Sequence, residues 1–306
     1  MTPNNTSAPP QDRTISKPLS LTAAVFAVSL GVCLASPGHG AAQELYSSGH
    51  TVAPAFEGWE ANPDGTFNMV FGYFNRNLEE TLEIPVGPNN SIEPGGPDQG
   101  QPGYFLPRRN RFAFKVRVPR DFGTKELVWT LTIRGKTEKA YATLKPDYVI
   151  DSQIMMVDIG NFGRDEALFE NKAPRVEVEG TARRTAKVGE PLKLMAVASD
   201  DGVPKPRPAP KTTPVGRSNA LGLRVAWFVY RGAGSQVIFE PRQFKVYPDY
   251  KSDSPWTPGW TPPPLPPDGR FPVAVTFRAP GTYVIRVMAH DGGLSSAQDV
   301  TVTVTK

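Results

Sequence analysis

Apolar residues alternate with polar or small ones along most of this chain. That period-two pattern, broken by Gly, Pro and Asp corners, is the mark of half-buried antiparallel strands. It is clearest in residues 271–305. Val273, Val275 and Phe277 alternate with Ala274, Thr276 and Arg278, and Pro280-Gly281 then turns the chain. Tyr283, Ile285, Val287 and Ala289 share one face of the next run, Asp291-Gly292-Gly293 makes a second corner, and Val300, Val302 and Val304 alternate with threonines to the end. Four further strands precede these. Residues 191–198 direct Leu192, Leu194, Ala196 and Ala198 inward, and residues 222–230 do the same with Leu223, Val225, Trp227 and Val229. Residues 237–246 read as one strand that Pro241 must bend or break. Val176 and Val178 mark the first strand of this module.

A similar pattern lies upstream. The turn Asn62-Pro63-Asp64-Gly65 has Pro to preset φ and Gly to take positive φ. It leads into residues 66–74, with Phe67, Met69, Phe71 and Tyr73 on one face. Residues 81–86, 111–118, 126–134 and 138–144 follow as strands. In the second of these, Phe112, Phe114, Val116 and Val118 oppose Arg111, Lys115 and Arg117. Five strands are too many to lie flat without a second layer, so a sandwich is expected. Residues 43–50 read as a lead-in and 87–107 as a long Pro/Gly/Asn-rich loop. Residues 154–157 fit a strand or a helix, and 160–172 read as a linker. The predicted fold is all-β: a signal segment (1–42), a β-sandwich module (43–150), a linker (151–172) and a second β-sandwich (173–306). The high content of Pro (33) and Gly (28) among 306 residues suits short strands joined by structured turns.

The second module resembles the PKD and related immunoglobulin-like domains of bacterial surface proteins. The resemblance is carried by residues 194–202, by Val225 to Trp227, and by Pro280-Gly281-Thr282-Tyr283-Val284 through Asp291-Gly292. It covers roughly the last 130 residues and implies a sandwich with a buried Trp on a central strand and a Tyr at a strand corner. The two long Pro-rich loops depart from the compact family pattern. The first module resembles a segment of exported bacterial proteins of unassigned function, through residues 62–65, Phe71-Gly72-Tyr73 and Pro94-Gly95-Gly96-Pro97-Asp98. That second resemblance implies no activity.

At the N-terminus, Arg13 and Lys17 precede an apolar run, residues 19–35, followed by Pro37 and the small residues Gly40, Ala41 and Ala42. This is the layout of a secretory signal peptide cleaved after Ala42. A retained anchor is the alternative, because the run approaches spanning length. A lipid-modified Cys33 is disfavoured by Val32, where a small residue is expected. The expected location is periplasmic, cell-surface or extracellular. Cys33 is the only cysteine, so the mature chain has no disulfide and no thiolate chemistry. The net charge of +4, without a long basic run, gives no reason to expect a nucleic-acid partner.

Candidate chemistry is sparse. A Ser-His-acid triad would need His50 or His290, and no Gly-x-Ser-x-Gly elbow exists. Gly232-Ala233-Gly234 lacks the third glycine of a dinucleotide loop. No enzyme is expected, with a carboxylate pair for glycoside hydrolysis the minor alternative. Three loops could form a surface: residues 203–214, 247–267 and 290–293. Strand parity places all three at one end of the second sandwich if 237–246 does not reverse. Trp256, Trp260, Tyr247 and Tyr250 are the candidate ligand-binding residues, since Pro-stiffened loops with aromatics give rigid contact area. The competing reading has these rings folded back over the sandwich. Asp200, Asp201 and Asp291, with Asp299, raise the possibility of calcium, which wants several oxygen ligands, although Asp-Gly pairs are also ordinary turn chemistry. Arg108, Arg109, Arg111, Lys115, Arg117 and Arg120 form a basic strip suited to an anionic polysaccharide or membrane surface, or else a solvated strand face. The expected function is adhesion or recognition of a glycan or an envelope protein, with a structural spacer as the alternative.

Overall fold

A computed structural model describes residues 46–158, 166–211 and 219–306. The expected signal segment and residues 212–214 of the first Pro-rich loop lie outside the described residues. No helix among the described residues is long and apolar enough to cross a membrane.

The first hydrophobic cluster is built by β1 (Val52–Ala61), β2 (Phe67–Asn75), β3 (Leu82–Glu83), β4 (Asn90–Glu93), β5 (Tyr104–Phe105), β6 (Arg108–Val118), β7 (Leu127–Ile133) and β8 (Lys136–Ala142). Sheet β1-β2-β6 and sheet β4-β7-β8 both contribute to this core, and β3-β5 form a short ribbon beside them. The inward face of β2 is the one expected: Met69, Phe71 and Tyr73 are buried. Phe71 sits opposite Phe114 in the ladder, their rings stacked at 5.2 Å, and Trp129 meets Phe114 edge-on at 4.9 Å. Three expectations need correction. The strand 52–61 follows the lead-in in a stretch for which no strand was expected. The strand at 81–86 shrinks to two residues, because Pro85 cannot donate to a ladder. Phe112 has φ 50 beside a register shift, which takes it out of strict alternation and leaves it half-buried.

The loop expected at 87–107 contains β4 and β5. It is held from inside by Asn90, whose Nδ2 donates to the carbonyls of Ile84 (2.8 Å) and Pro102 (2.7 Å) while its Oδ1 accepts from Trp129 Nε1 (3.0 Å). That one fully buried side chain satisfies backbone groups the short strands leave unpaired.

The second cluster is built by β9 (Arg175–Val178), β10 (Arg183–Lys187), β11 (Pro191–Ser199), β12 (Arg224–Arg231), β13 (Val237–Glu240), β14 (Arg270–Phe277), β15 (Gly281–His290) and β16 (Ser295–Thr305). The sheet orders are β10-β16-β15-β12 and β13-β14-β11-β9, with β10 parallel to β16 and every other pair antiparallel. This is the immunoglobulin-type arrangement. Trp227 on β12 and Tyr283 at the start of β15 are both buried, and the Tyr283 hydroxyl donates to the Ala279 carbonyl at 2.9 Å across the corner. Gly232, at φ 98, packs so tightly on Tyr283 that a Cβ would come within 2.8 Å of its ring.

Between the clusters, residues 154–157 belong to a helix, α1 (Ser152–Asp158), and a 3-10 turn follows at Glu166–Glu170. Met156 and Leu168 pack with Leu294 in a third, small apolar cluster. Residues 45–306 form one compact unit.

Candidate functional site

Of the three loops singled out by strand parity, the first two are hydrogen-bonded to each other, and residues 219–222, just before β12, tie both to the last. Ala209 N–H donates to the Trp260 carbonyl (2.7 Å) and Ala220 N–H to that of Pro255 (2.8 Å). Gly222 N–H donates to the Asp291 carbonyl (2.5 Å), and Asn219 Nδ2 to that of Gly292 (3.1 Å). The strand expected over 237–246 ends at Glu240, because Pro241 offers no N–H. The chain nonetheless runs on without reversing. Gln243 Oε1 accepts from Trp227 N–H (3.0 Å) on the free edge of β12, and Phe244 and Val246 share a small cavity with Arg224, Trp256, Met288 and His290.

The four aromatic candidates have separate positions. Trp260 is half-buried within its own loop, its Nε1 donating to Asp253 Oδ1 (2.8 Å) and its ring 5.2 Å from that of Phe244. Tyr247 is buried near Lys245, and its hydroxyl is pushed up to about 12 by burial first and then by Asp249. Trp256, half-buried, and Tyr250, exposed, line a larger cleft.

That cleft has a volume of about 700 Å³ and lies where the two sandwiches meet. One wall is β6 from Arg108 to Lys115, with Tyr73, Phe74 and Tyr104 beside it. The other is Phe228 and Tyr230 of β12, Arg286, Met288 and His290 of β15, and Ser295 to Ala297 of β16. Its lining includes Arg108, Arg109, Arg111, Lys115 and Arg286, with no Asp or Glu. Some of that charge is compensated from behind: Arg109 pairs with Glu57 (2.7 Å), Lys115 with Glu60 (2.5 Å) and Arg286 with Asp299 (2.6 Å). Arg286 stacks 3.3 Å over the Tyr230 ring and donates to the Ala113 carbonyl (2.9 Å), joining β15 to β6. Burial works against its charge, but Tyr230 and Asp299 outweigh it and hold the guanidinium protonated. Burial pushes the Tyr230 hydroxyl up to about 12. His290 is held well below its ordinary value, by burial first and then by Arg224. Its Nδ1 accepts from Gly292 N–H (2.8 Å), and no hydrogen bond joins it to a serine among the described residues.

The basic strip divides. Arg108, Arg109, Arg111 and Lys115 reach the cleft, whereas Arg117 pairs with Asp64 and Arg120 donates to the Asp64 carbonyl, bracing the 62–65 turn. Asp299 is engaged by Arg286 and stands apart from the other acids raised for calcium. Asp201 accepts from Lys172 N–H (3.0 Å) and Val203 N–H (2.9 Å). Asp200 Oδ2 accepts from Gly202 N–H (3.0 Å), and Asp291 Oδ1 from Gly293 (2.5 Å) and Leu294 (2.7 Å). Burial, then the charge of Asp200, pushes the Asp291 carboxyl up to about 6 despite those bonds. No group of three or more His, Cys, Asp or Glu side chains is gathered for a metal among the described residues.

Sequence reasoning missed Tyr230 and Arg286, and it missed the junction they help to form. Arg231 makes a two-pronged pair with Asp98 (2.8 and 2.9 Å) and donates from Nε to the Gln101 carbonyl (2.8 Å); Tyr230 donates to the Gly100 carbonyl (2.6 Å). The run Pro94-Gly95-Gly96-Pro97-Asp98 was visible as a motif, but nothing in it named its partner.

The strand order and the corner tyrosine define an all-β protein whose C-terminal half is an immunoglobulin-type sandwich. No family model matches the chain, and no curated protein matches it. Solved structures with some likeness include domains 4 and 5 of the S-layer protein SbsC, at 10% identity over 74% of this chain and 81% of that one, with a TM-score of 0.24. The D00-D0 domain of intimin is 11% identical over 84% and 100%, with a TM-score of 0.25. Fibronectin(III)-like modules of CbhA from Clostridium thermocellum are 12% identical over 83% and 94%, with a TM-score of 0.21. Likenesses this remote carry no functional argument.

Proposed function

We propose that this chain is an exported, non-enzymatic recognition module that binds an acidic saccharide in the cleft between its two sandwiches. The observation that supports this reading is the composition of the lining: five cationic side chains and several aromatic rings, with no carboxylate. Guanidinium groups match carboxylates with paired N–H donors, and aromatic faces accept the apolar faces of sugar rings. A cleft of several hundred cubic ångströms is of ordinary size for a small-molecule or oligosaccharide site. The exported location rests on the N-terminal pattern of residues 13–42.

The test is calorimetric titration with oligogalacturonides, using neutral cello-oligosaccharides as the control. Acidic oligomers should bind with an affinity that weakens with salt, and neutral ones should not. Arg108→Ala and Trp256→Ala should each lower affinity about tenfold, equivalent to about 1.4 kcal/mol. Equal binding of both sugar classes, or no change in either variant, would overturn the proposal. Shortened oligomers in the same samples would favour the minor hydrolase alternative. The spacer reading is supported by a different observation, the Arg231–Asp98 and Arg286–Ala113 contacts that brace one sandwich against the other. Absence of any saccharide binding would leave that reading ahead.

A further inference from the structure

The first residue of β12, Arg224, is a cation in the protein interior, 3% exposed. A guanidinium taken out of water is costly unless an anion meets it. The acceptors it has are neutral. Nη1 donates to the Ala220 carbonyl (2.9 Å) and lies 3.5 Å from that of Gly222, while Nη2 faces His290 Nδ1 at 3.5 Å. His290 stands directly opposite Arg224 in the ladder between β12 and β15. Its Nδ1 already accepts from Gly292 N–H at 2.8 Å, which leaves it a weak acceptor for a second donor. Arg224 Nε–H has no acceptor among the described residues, and the guanidinium forms no ion pair there. The charge of Asp291 reaches it only from a distance, because that carboxylate is turned to the N–H groups of Gly293 (2.5 Å) and Leu294 (2.7 Å).

Arg224 and His290 line a recess of about 10 Å³ whose other walls include Phe244, Val246, Trp256 and Met288. No carboxylate is among its described lining residues. That volume admits one particle of about water size, which excludes phosphate and sulfate. The unbranched Met288 side chain can yield to a slightly larger one. The His290 ring, kept neutral by burial beside the cation, adds no second positive charge, so one negative charge balances the recess. Val246, Trp256, Met288 and His290 also line the larger cleft, which therefore adjoins it.

We propose that this recess is a binding site for a small monoanion, held by the buried Arg224 guanidinium beside the cleft. The charge can come from a free halide or from a carboxylate oxygen of a saccharide in the adjoining cleft. Only the second source rests on the saccharide reading.

The experiment follows thermal unfolding of the parent and of Arg224→Met as NaCl or NaBr replaces sodium methanesulfonate at constant ionic strength. An anion bound by the folded state alone raises the midpoint, so the parent should show a rise that saturates at millimolar halide. Arg224→Met keeps the aliphatic stem and removes the charge, and its midpoint should not respond. General salt effects act on both proteins and cancel in the comparison. Parent crystals soaked in NaBr should show anomalous density for bromide against Arg224, a result that does not depend on the variant folding. Oligogalacturonide that displaces this bromide would identify a saccharide carboxylate as the resident charge. Bromide that stays would identify a free halide, and if calorimetry also shows no saccharide binding, the saccharide reading fails while the anion site stands. A recess without bromide, or equal halide responses in the parent and Arg224→Met, would overturn the proposal.

Discussion

Trp227 offers the sharpest test of the second core, because two terms of different origin meet in one side chain. The indole is 2% exposed and packs between the two sheets. Its Nε1–H is buried and has no acceptor among the described residues. Trp227→Ala removes the whole side chain and leaves a cavity, for which about 3–5 kcal/mol is expected. That is a large share of the ~5–15 kcal/mol that holds a typical domain together. Trp227→Phe is a different perturbation. Phenylalanine is smaller by ~40 Å³, worth ~1 kcal/mol at ~24 cal/mol per Å³ of unfilled cavity. It also removes the orphaned donor, whose burial costs about 1–3 kcal/mol.

The two contributions in Trp227→Phe oppose each other, so its stability should lie within about 1 kcal/mol of the parent while Trp227→Ala falls well below it. Urea unfolding followed by far-UV circular dichroism, with equal slopes in the three proteins, would measure both differences. If Trp227→Phe loses as much as Trp227→Ala, the indole N–H is satisfied in solution and the reasoning fails. If Trp227→Ala unfolds at the parent's midpoint, the side chain is not a core residue.

Tyr283→Phe should cost about 0.5–1.5 kcal/mol, the net worth of the hydroxyl's bond to the Ala279 carbonyl, with no change in packing; the same denaturation assay reads it. The Asp291 carboxyl, raised from 3.8 to about 6, keeps in the folded state a proton that the unfolded state has already released, so its contribution to stability falls as pH rises from about 4 to 6; His290, depressed below 6.5, acts oppositely and costs stability as pH falls below that value. Asp291→Asn should therefore gain on the parent between pH 4 and pH 7 by up to about 3 kcal/mol, and a pH-independent difference would contradict the shift. Mass spectrometry of protein from the native host should find a mature N-terminus near Gln43, and an intact Met1 in a cytoplasmic fraction would refute export.

The strands and their inward faces were legible because side-chain direction in a strand is local: Met69, Phe71 and Tyr73, or Val300, Val302 and Val304, must share a face if their segment is extended. The corner tyrosine was legible because a Pro-Gly turn just before it fixes where its ring lies. What escaped notice depended on something other than period two. The strands at Asn90–Glu93 and Tyr104–Phe105 are too short to show a pattern, and buried amides of Asn90 and Gln101 organise the loop around them. Phe112 breaks alternation through a positive φ that its sequence neighbours do not announce. The cleft was illegible for a further reason. Its walls come from β6 and β15, and the Arg286–Ala113 bond that joins them spans 173 positions of the chain.

Proline explains why the candidate cleft lies beside the loop and not at its tip. A loop crowded with prolines has few N–H donors, so its carbonyls must be satisfied by side chains or by the few donors it retains. Here Ser254 donates to the Tyr247 carbonyl at 2.7 Å, Thr257 to those of Asp249 (2.7 Å) and Ser252, and Asp253 receives the Trp260 indole. The loop thus consumes its own polar groups, and one of its two tryptophans, in holding its shape. It has no flat aromatic platform left to present at the tip. Trp256 and Tyr250 instead look sideways, over the edge of β12, toward the basic residues of β6. A cationic, aromatic surface arises only where that flank of the loop meets the other sandwich. Whatever fixes one sandwich against the other also fixes the shape of this cleft, so the Arg231–Asp98 pair helps to set its geometry even though neither residue lines it.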